Sequence, residues 1–212
     1  MHIPDGFLST ATVATTYVIS AGGVGNAVRL ANKNLGEKHI PLMGILAAFI
    51  FAAQMLNFPV AGGTSGHFLG AALVAILLGP WAAVLIMAVV LTGQCFIFQD
   101  GGILTLGANI FNMGIVGGFS AYYIYKWLNA LLGDSNRSKL ISGFAAAWAS
   151  VLLASIACAI ELAVSDTSPL SVALPAMAGV HAIIGIGEGL ITVAVVSLVM
   201  ATRSDLLRLQ RI

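Results

Sequence analysis

All nine lysines and arginines of this chain fall into three short clusters, and the stretches between them are almost free of charge. Arg29, Lys33 and Lys38 form the first cluster. Lys126, Arg137 and Lys139 form the second, and Arg203, Arg208 and Arg211 the third. Charged residues make up 8% of the 212 residues and hydrophobic ones 59%. A soluble domain carries roughly 25% charged residues, so a water-soluble globule is excluded. The chain reads as an all-α integral membrane protein.

A helix needs about 20 apolar residues to cross a bilayer. Seven apolar segments approach that length, at approximately 8–28, 40–57, 67–79, 81–98, 103–126, 139–164 and 176–202. The third is short. Its start at Thr64-Ser65-Gly66-His67 suggests a loop that dips into the bundle before the helix completes the crossing. The basic clusters lie in alternate connections, while 58–66, 99–102 and 165–175 hold no Lys or Arg. Basic loops stay in the cytoplasm. The expected topology is therefore a seven transmembrane helix bundle with the N-terminus outside and the C-terminus cytoplasmic. Residues 1–212 are expected to form a single transmembrane domain. No positively charged leader is visible, because the first 28 residues contain no Lys or Arg. Cys95 and Cys158 lie in apolar runs and read as small buried side chains rather than a disulfide or a CxxC metal site.

The orientation brings the N-terminal Met1-His2 pair, the loop 58–66 with His67, and His181 to the outer face. The Met1 amine, the Met1–His2 amide nitrogen and the nearer His2 imidazole nitrogen can wrap one cation in a five-membered and a six-membered ring. Such a chelate needs the amide deprotonated, which suits Ni(II) and Cu(II) with their preference for planar nitrogen donors. His2 is bulky, so Met1 is expected to survive processing. His67 follows Gly62-Gly63-Thr64-Ser65-Gly66 and can fill the fourth place in the plane, with His181 as the competing ligand. Asp5 and Ser65 are candidates for orienting the imidazoles. Asp5 could instead cap the first helix. His39, on the cytoplasmic side, reads as a surface residue outside the site.

There is no GxxxxGK[ST] string, so energy for active transport must come from a partner or an ion gradient. A different chemistry is also written in the sequence. Gly63-Thr64-Ser65-Gly66 matches the GxSG string of rhomboid-type intramembrane serine proteases, with His181 as a possible base for Ser65. No pattern calls for a nucleic acid partner.

Three stretches resemble one family. MHIPDGFLS at 1–9, GTSGHFLGAALVAILLGPW at 63–81 and TGQCFIFQDGGILTLGANIFNMG at 92–114 are similar to the CbiM/NikM family. These are substrate-binding membrane components (S components) of energy-coupling-factor nickel and cobalt transporters. The resemblance implies a seven-helix bundle whose first helix carries the N-terminus into the centre. It implies Ni(II) or Co(II) as transported substrate, held through Met1, His2 and His67, with no cofactor. It also implies a transporter subunit rather than an enzyme, in the plasma membrane of a prokaryote. The implied partners are a transmembrane coupling protein, two ATP-binding cassette ATPases that hydrolyse ATP, and a small accessory membrane protein. A vitamin-binding component of the same transporter class is the other reading, and it would have no use for the N-terminal chelate.

Overall fold

In the computed structural model, residues 1–36 and 39–203 are described; Lys38, Arg208 and Arg211 of the charge pattern lie outside them. Helices occupy parts of all the segments marked out by hydropathy, with shifted ends. They are α1 (Thr10–Asn34), α2 (Ile40–Gln54), α3 (Ala71–Leu78), α4 (Pro80–Gly93), α5 (Leu106–Asn109), α6 (Gly117–Leu132), α7 (Asn136–Val164) and α8 (Leu170–Thr202). Among the described residues, three helical stretches are long and apolar enough to cross a membrane alone: Pro80–Phe98, Asn136–Val164 and Leu170–Thr202.

The helix ends follow from local chemistry. Ser9 caps α1, its side chain accepting from the Thr12 amide at 3.3 Å. Ser135 caps α7 in the same way. Gly79, at φ +91°, separates α3 from α4, and Pro80 opens α4 where its missing N–H costs nothing. Two segments wind as π-helix, Gln94–Phe98 beyond α4 and Ile110–Val116 between α5 and α6. Such turns widen the backbone locally and re-aim side chains.

Two of the expected boundaries move, and one expected surface residue is buried. The third helix begins at Ala71, so His67 lies in irregular chain ahead of it. The last helix begins at Leu170 and keeps Pro175 inside. His39 is buried rather than on the surface, and the Gly36 amide donates to its Nδ1 at 3.0 Å.

α3 is the centre of the packing. Every residue from Ala71 to Leu77 is buried, against α4, α6, α7 and α8. α7 and α8 form the most extensive helix pair. Large apolar side chains such as Val18, Ile45, Phe96, Trp127, Ile183 and Leu190 point outwards, as expected of a surface that meets lipid.

Two irregular segments enter this frame. Residues 1–9 run inwards, with Met1, His2 and Ile3 all buried. The loop after α2 folds into a small hairpin, β1 (Phe58–Pro59) against β2 (Ser65–Gly66), with Phe58 opposite Gly66 and Pro59 opposite Ser65. Gly62 turns the hairpin at φ +78°.

α1 and α5 approach closely at Gly107. A β-carbon there would sit 2.7 Å from the Tyr17 Cα, and backbone cannot give way. Gly107→Ala is expected to destabilise the fold by about 1–3 kcal/mol. Gly22→Ala on α1, where nothing lies within 4 Å, is expected to be neutral or mildly stabilising. Thermal unfolding midpoints of the two variants in detergent check this; equal shifts would refute the close approach.

Candidate metal centre

The N-terminal segment is held by the chain it threads into. Ile3 has both backbone groups taken by one side chain: its amide donates to Asn109 Oδ1 at 2.8 Å, and its carbonyl accepts from Asn109 Nδ2 at 3.2 Å. The Gly102 amide and the Thr105 hydroxyl also donate to that carbonyl. Two residues on, the Asp5 carboxylate accepts from the amides of Ile103, Leu104 and Thr105 at 3.1, 2.8 and 3.3 Å. Asp5 therefore clamps the loop before α5. It neither caps α1, which Ser9 does, nor orients an imidazole.

This anchoring sets Met1 and His2 against the hairpin. The Met1 amine donates to the Ser65 carbonyl and, at 2.9 Å, to Ser65 Oγ. The His2 amide donates to the same hydroxyl at 3.1 Å. Ser65 thus serves the two main-chain nitrogens rather than the rings. The His2 and His67 rings stack, with centroids 4.4 Å apart and planes within 16°.

The tautomer of His67 follows from its partner. His67 Nδ1 donates to the Phe68 carbonyl at 2.7 Å, leaving the buried Nε2 as a lone pair with no hydrogen-bond partner. His2 Nε2 lies 3.2 Å from the Gln94 side-chain amide, whose orientation decides which ring nitrogen carries the proton. That Nδ1 is 3.1 Å from Asp100 Oδ1, a Coulombic contact without hydrogen-bond alignment.

Burial sets the charge state. It lowers the Met1 amine to about 5, against opposing pulls from Cys158 and Asp100. Burial also lowers His2, with the Asp100 carboxylate working the other way. His67 is pushed well below its ordinary range by burial, then by the amine, by His2 and, more weakly, by His181. Burial opposes ionisation of Asp100, yet His2, the amine and Asn57 hold its carboxyl below the usual value. Amine and imidazoles are therefore neutral donors at physiological pH, beside one carboxylate.

His67 owes its position to distant residues. Glu188 on α8 accepts from the amides of Leu69 and Gly70, each at 2.7 Å, and so caps α3. Gln54 at the end of α2 donates to the Leu69 carbonyl at 2.7 Å. His181 Nδ1 donates to the Met177 carbonyl at 2.7 Å, and its Nε2 has no hydrogen-bond partner. No Ser65–His181 hydrogen bond exists, so the protease pair is not formed. Among the described residues no three His, Cys, Asp or Glu side chains gather as a metal cage.

The residues that sequence reasoning left without a role are Gln94, Asp100, Thr105 and Asn109. The signal for them was their polarity within an apolar stretch, but their partners lie about a hundred residues away in the chain.

The family described as "Cobalt uptake substrate-specific transmembrane region", CbiM, matches residues 2–206. The chain belongs to the CbiM family. A relative in Archaeoglobus fulgidus that carries a fused nickel-transport name, NikMN, is 46% identical over 209 residues, covering 98% of this chain and 68% of that one. The cobalt transport protein CbiM of Thermosediminibacter oceani is 33% identical, over 93% of this chain and 83% of its own. A solved structure titled "Crystal Structure of an Truncated Transition metal Transporter" superposes with a TM-score of 0.85 at 37% identity, covering 95% of this chain and 99% of that one. Membership makes the chain a membrane component of nickel or cobalt transport, with the metal as substrate.

The Asn109 contact is open to a direct test. Asn109→Ala leaves the Ile3 amide without its partner and should destabilise the protein by about 1–3 kcal/mol. Hydrogen exchange at the Ile3 amide should accelerate relative to α3 amides. Unchanged protection at Ile3 would show that the N-terminal segment is held by something else.

Proposed function

We propose that this chain captures Ni(II), and also Co(II), at the outer face of a prokaryotic plasma membrane, as the substrate-binding component of an ATP-driven importer. In this reading residues 1–212 form one transmembrane domain that crosses the membrane seven times, with the N-terminus outside and the C-terminus cytoplasmic. The charge pattern supports that orientation, because all nine basic residues lie in alternate connections. The ion is held by the Met1 amine, the His2 amide nitrogen, His2 Nδ1 and His67 Nε2. A transmembrane coupling protein, two ATP-binding cassette ATPases and a small accessory membrane protein complete the machine and supply the energy.

One observation carries this proposal. A chain-terminal amine and two stacked imidazoles are buried together, and His2 Nδ1 and His67 Nε2 have no hydrogen-bond partner. An α-amine is kept from water at a large desolvation cost, and a structural role alone would be met more cheaply by an apolar residue. Four nitrogen donors with a deprotonated amide favour a planar site and hence Ni(II), while a longer bond or a further ligand admits Co(II). Capture expels the amide proton, so occupancy falls as the solution becomes more acid. Ser65, which holds both main-chain nitrogens, keeps the chelate preformed. A vitamin ligand fits less well, because the N-terminal segment fills the centre of the bundle.

The deciding experiment moves the amine. Two residues added before Met1 change no side chain and turn the terminal amine into an amide, which removes it from the chelate. Ni(II) affinity of the purified chain is expected to fall by about 100-fold, or roughly 2.7 kcal/mol. His67→Ala should lose about tenfold or more, while Asp5→Asn should act on stability rather than on the metal. Isothermal titration with Ni(II) reads all three. Undiminished affinity in the extended chain would refute the chelate.

A further inference from the structure

One imidazole is left over by the capture site. His181 is fully buried, and its Nδ1–H is committed to the Met177 carbonyl. Its Nε2 lone pair has no partner. His67 is set up in the same way, with Nδ1–H on a carbonyl and Nε2 open. Two imidazoles locked in one tautomer, each presenting Nε2 to the bundle interior, are poorly explained as packing, since a buried polar atom without a partner costs free energy.

The register of α8 shows where His181 stands. Met177, one turn earlier, has its sulfur against Gly63 and accepts from the Thr64 amide at 3.4 Å. Ile184, one turn later, packs on Gly66. Glu188 holds Leu69 and Gly70. Residues 177, 184 and 188 thus follow the chain from 63 to 70 in order. His181 lies on the same buried face about 6 Å along the helix from Met177, level with the Ser65–His67 stretch. The row continues beyond it with Thr192, whose hydroxyl is buried without a partner, and Ser142 on the facing α7, whose hydroxyl is in the same condition.

We propose that His181 Nε2 is a stepping-stone ligand, which bonds the metal ion in passing as it enters or leaves the N-terminal chelate. This rests on the capture reading above. In the step one metal–nitrogen bond forms at His181 Nε2 while one at the chelate breaks. No electron is transferred. No proton moves at His181, because Nδ1 keeps its hydrogen on Met177. The ion is never left bare in an apolar interior, where an unpaired charge is costly. A ligand used only in passage lowers the barrier in both directions and leaves the equilibrium alone.

The test uses the purified full chain with Ni(II) as probe. Wild type, His181→Gln and His181→Phe are compared for capture rate by stopped flow, release rate into excess EDTA, and equilibrium affinity. Gln keeps a donor for the Met177 carbonyl and Phe keeps the ring volume, so a variant that loses its apo melting transition is replaced by the other. Capture and release are both expected to slow by about tenfold, with affinity unchanged within about twofold. Unchanged rates would overturn the proposal. A tenfold loss of affinity with faster release would also overturn it, making His181 a resident ligand instead. The chain extended before Met1 separates this from failure of the capture reading: if it binds Ni(II) as wild type does, the chelate itself is wrong, whatever His181 does.

Discussion

The structure depends on keeping a chain terminus inside an apolar bundle. An α-amine is a charged, well-solvated group in water, and burial of the charged form is unfavourable enough to shift its proton equilibrium by units. The Met1 amine responds in that way, lowered to about 5. It is admitted because it arrives neutral and hydrogen-bonded to Ser65. Every nearby oddity then has a reason. Asn109 mimics a paired strand for Ile3, Asp5 locks the approach, and the hairpin presents a carbonyl and a hydroxyl to receive the amine. Were the terminus displaced, those groups would be buried without partners.

Irregular backbone at membrane depth needs its hydrogen bonds met by protein. Three irregular segments meet here, 1–9, 55–70 and 99–105, and side chains distant in sequence meet many of their hydrogen bonds. Glu188 and Gln54 take the backbone around Leu69. Asp5 takes the three amides before α5, and Thr105 and Asn109 take Ile3. The π-helical turns fit this scheme. Gln94, which contacts His2 Nε2, opens the one after α4, and Asn109 directly precedes the other. Widened turns put polar side chains into the centre at heights that a regular helix would not give.

Helix positions were legible because lipid-facing and core residues are both apolar, so spans stand out as unbroken hydrophobic runs. Their ends were less so. The start of α3 is set by Glu188, a residue 118 positions from Gly70, and no local pattern in 63–71 announces it. Pro175 reads as a boundary, yet it stands in the second turn of α8, where only one hydrogen bond is forfeited. His2, His67 and Ser65 were recognisable from residue type and expected side of the membrane. Asp5 was misread for the opposite reason. Its neighbour Gly6 and the helix that follows invite a local cap, whereas its real partners lie 98–100 residues on. Roles that depend on tertiary contact between irregular segments leave only a residue type in the sequence.

The same interdependence ties the centre to the helices around it. His67 is positioned from α2 and α8, whereas Met1 and His2 are positioned from the α4–α5 region through Gln94, Asp100, Thr105 and Asn109. The two halves of the donor set therefore belong to different parts of the bundle. They meet where Ser65 touches the amine, where the two rings stack, and where Asn57 donates to Asp100. A shift of α8 relative to α4 would draw the imidazoles apart without unfolding any helix, because Glu188 would carry the His67 segment with it. Interfaces of close-packed helices have discrete arrangements rather than a continuum, so such a shift separates a closed donor set from an open one. On the capture reading proposed above, dividing the nitrogens between two helix groups would let release follow from helix movement alone.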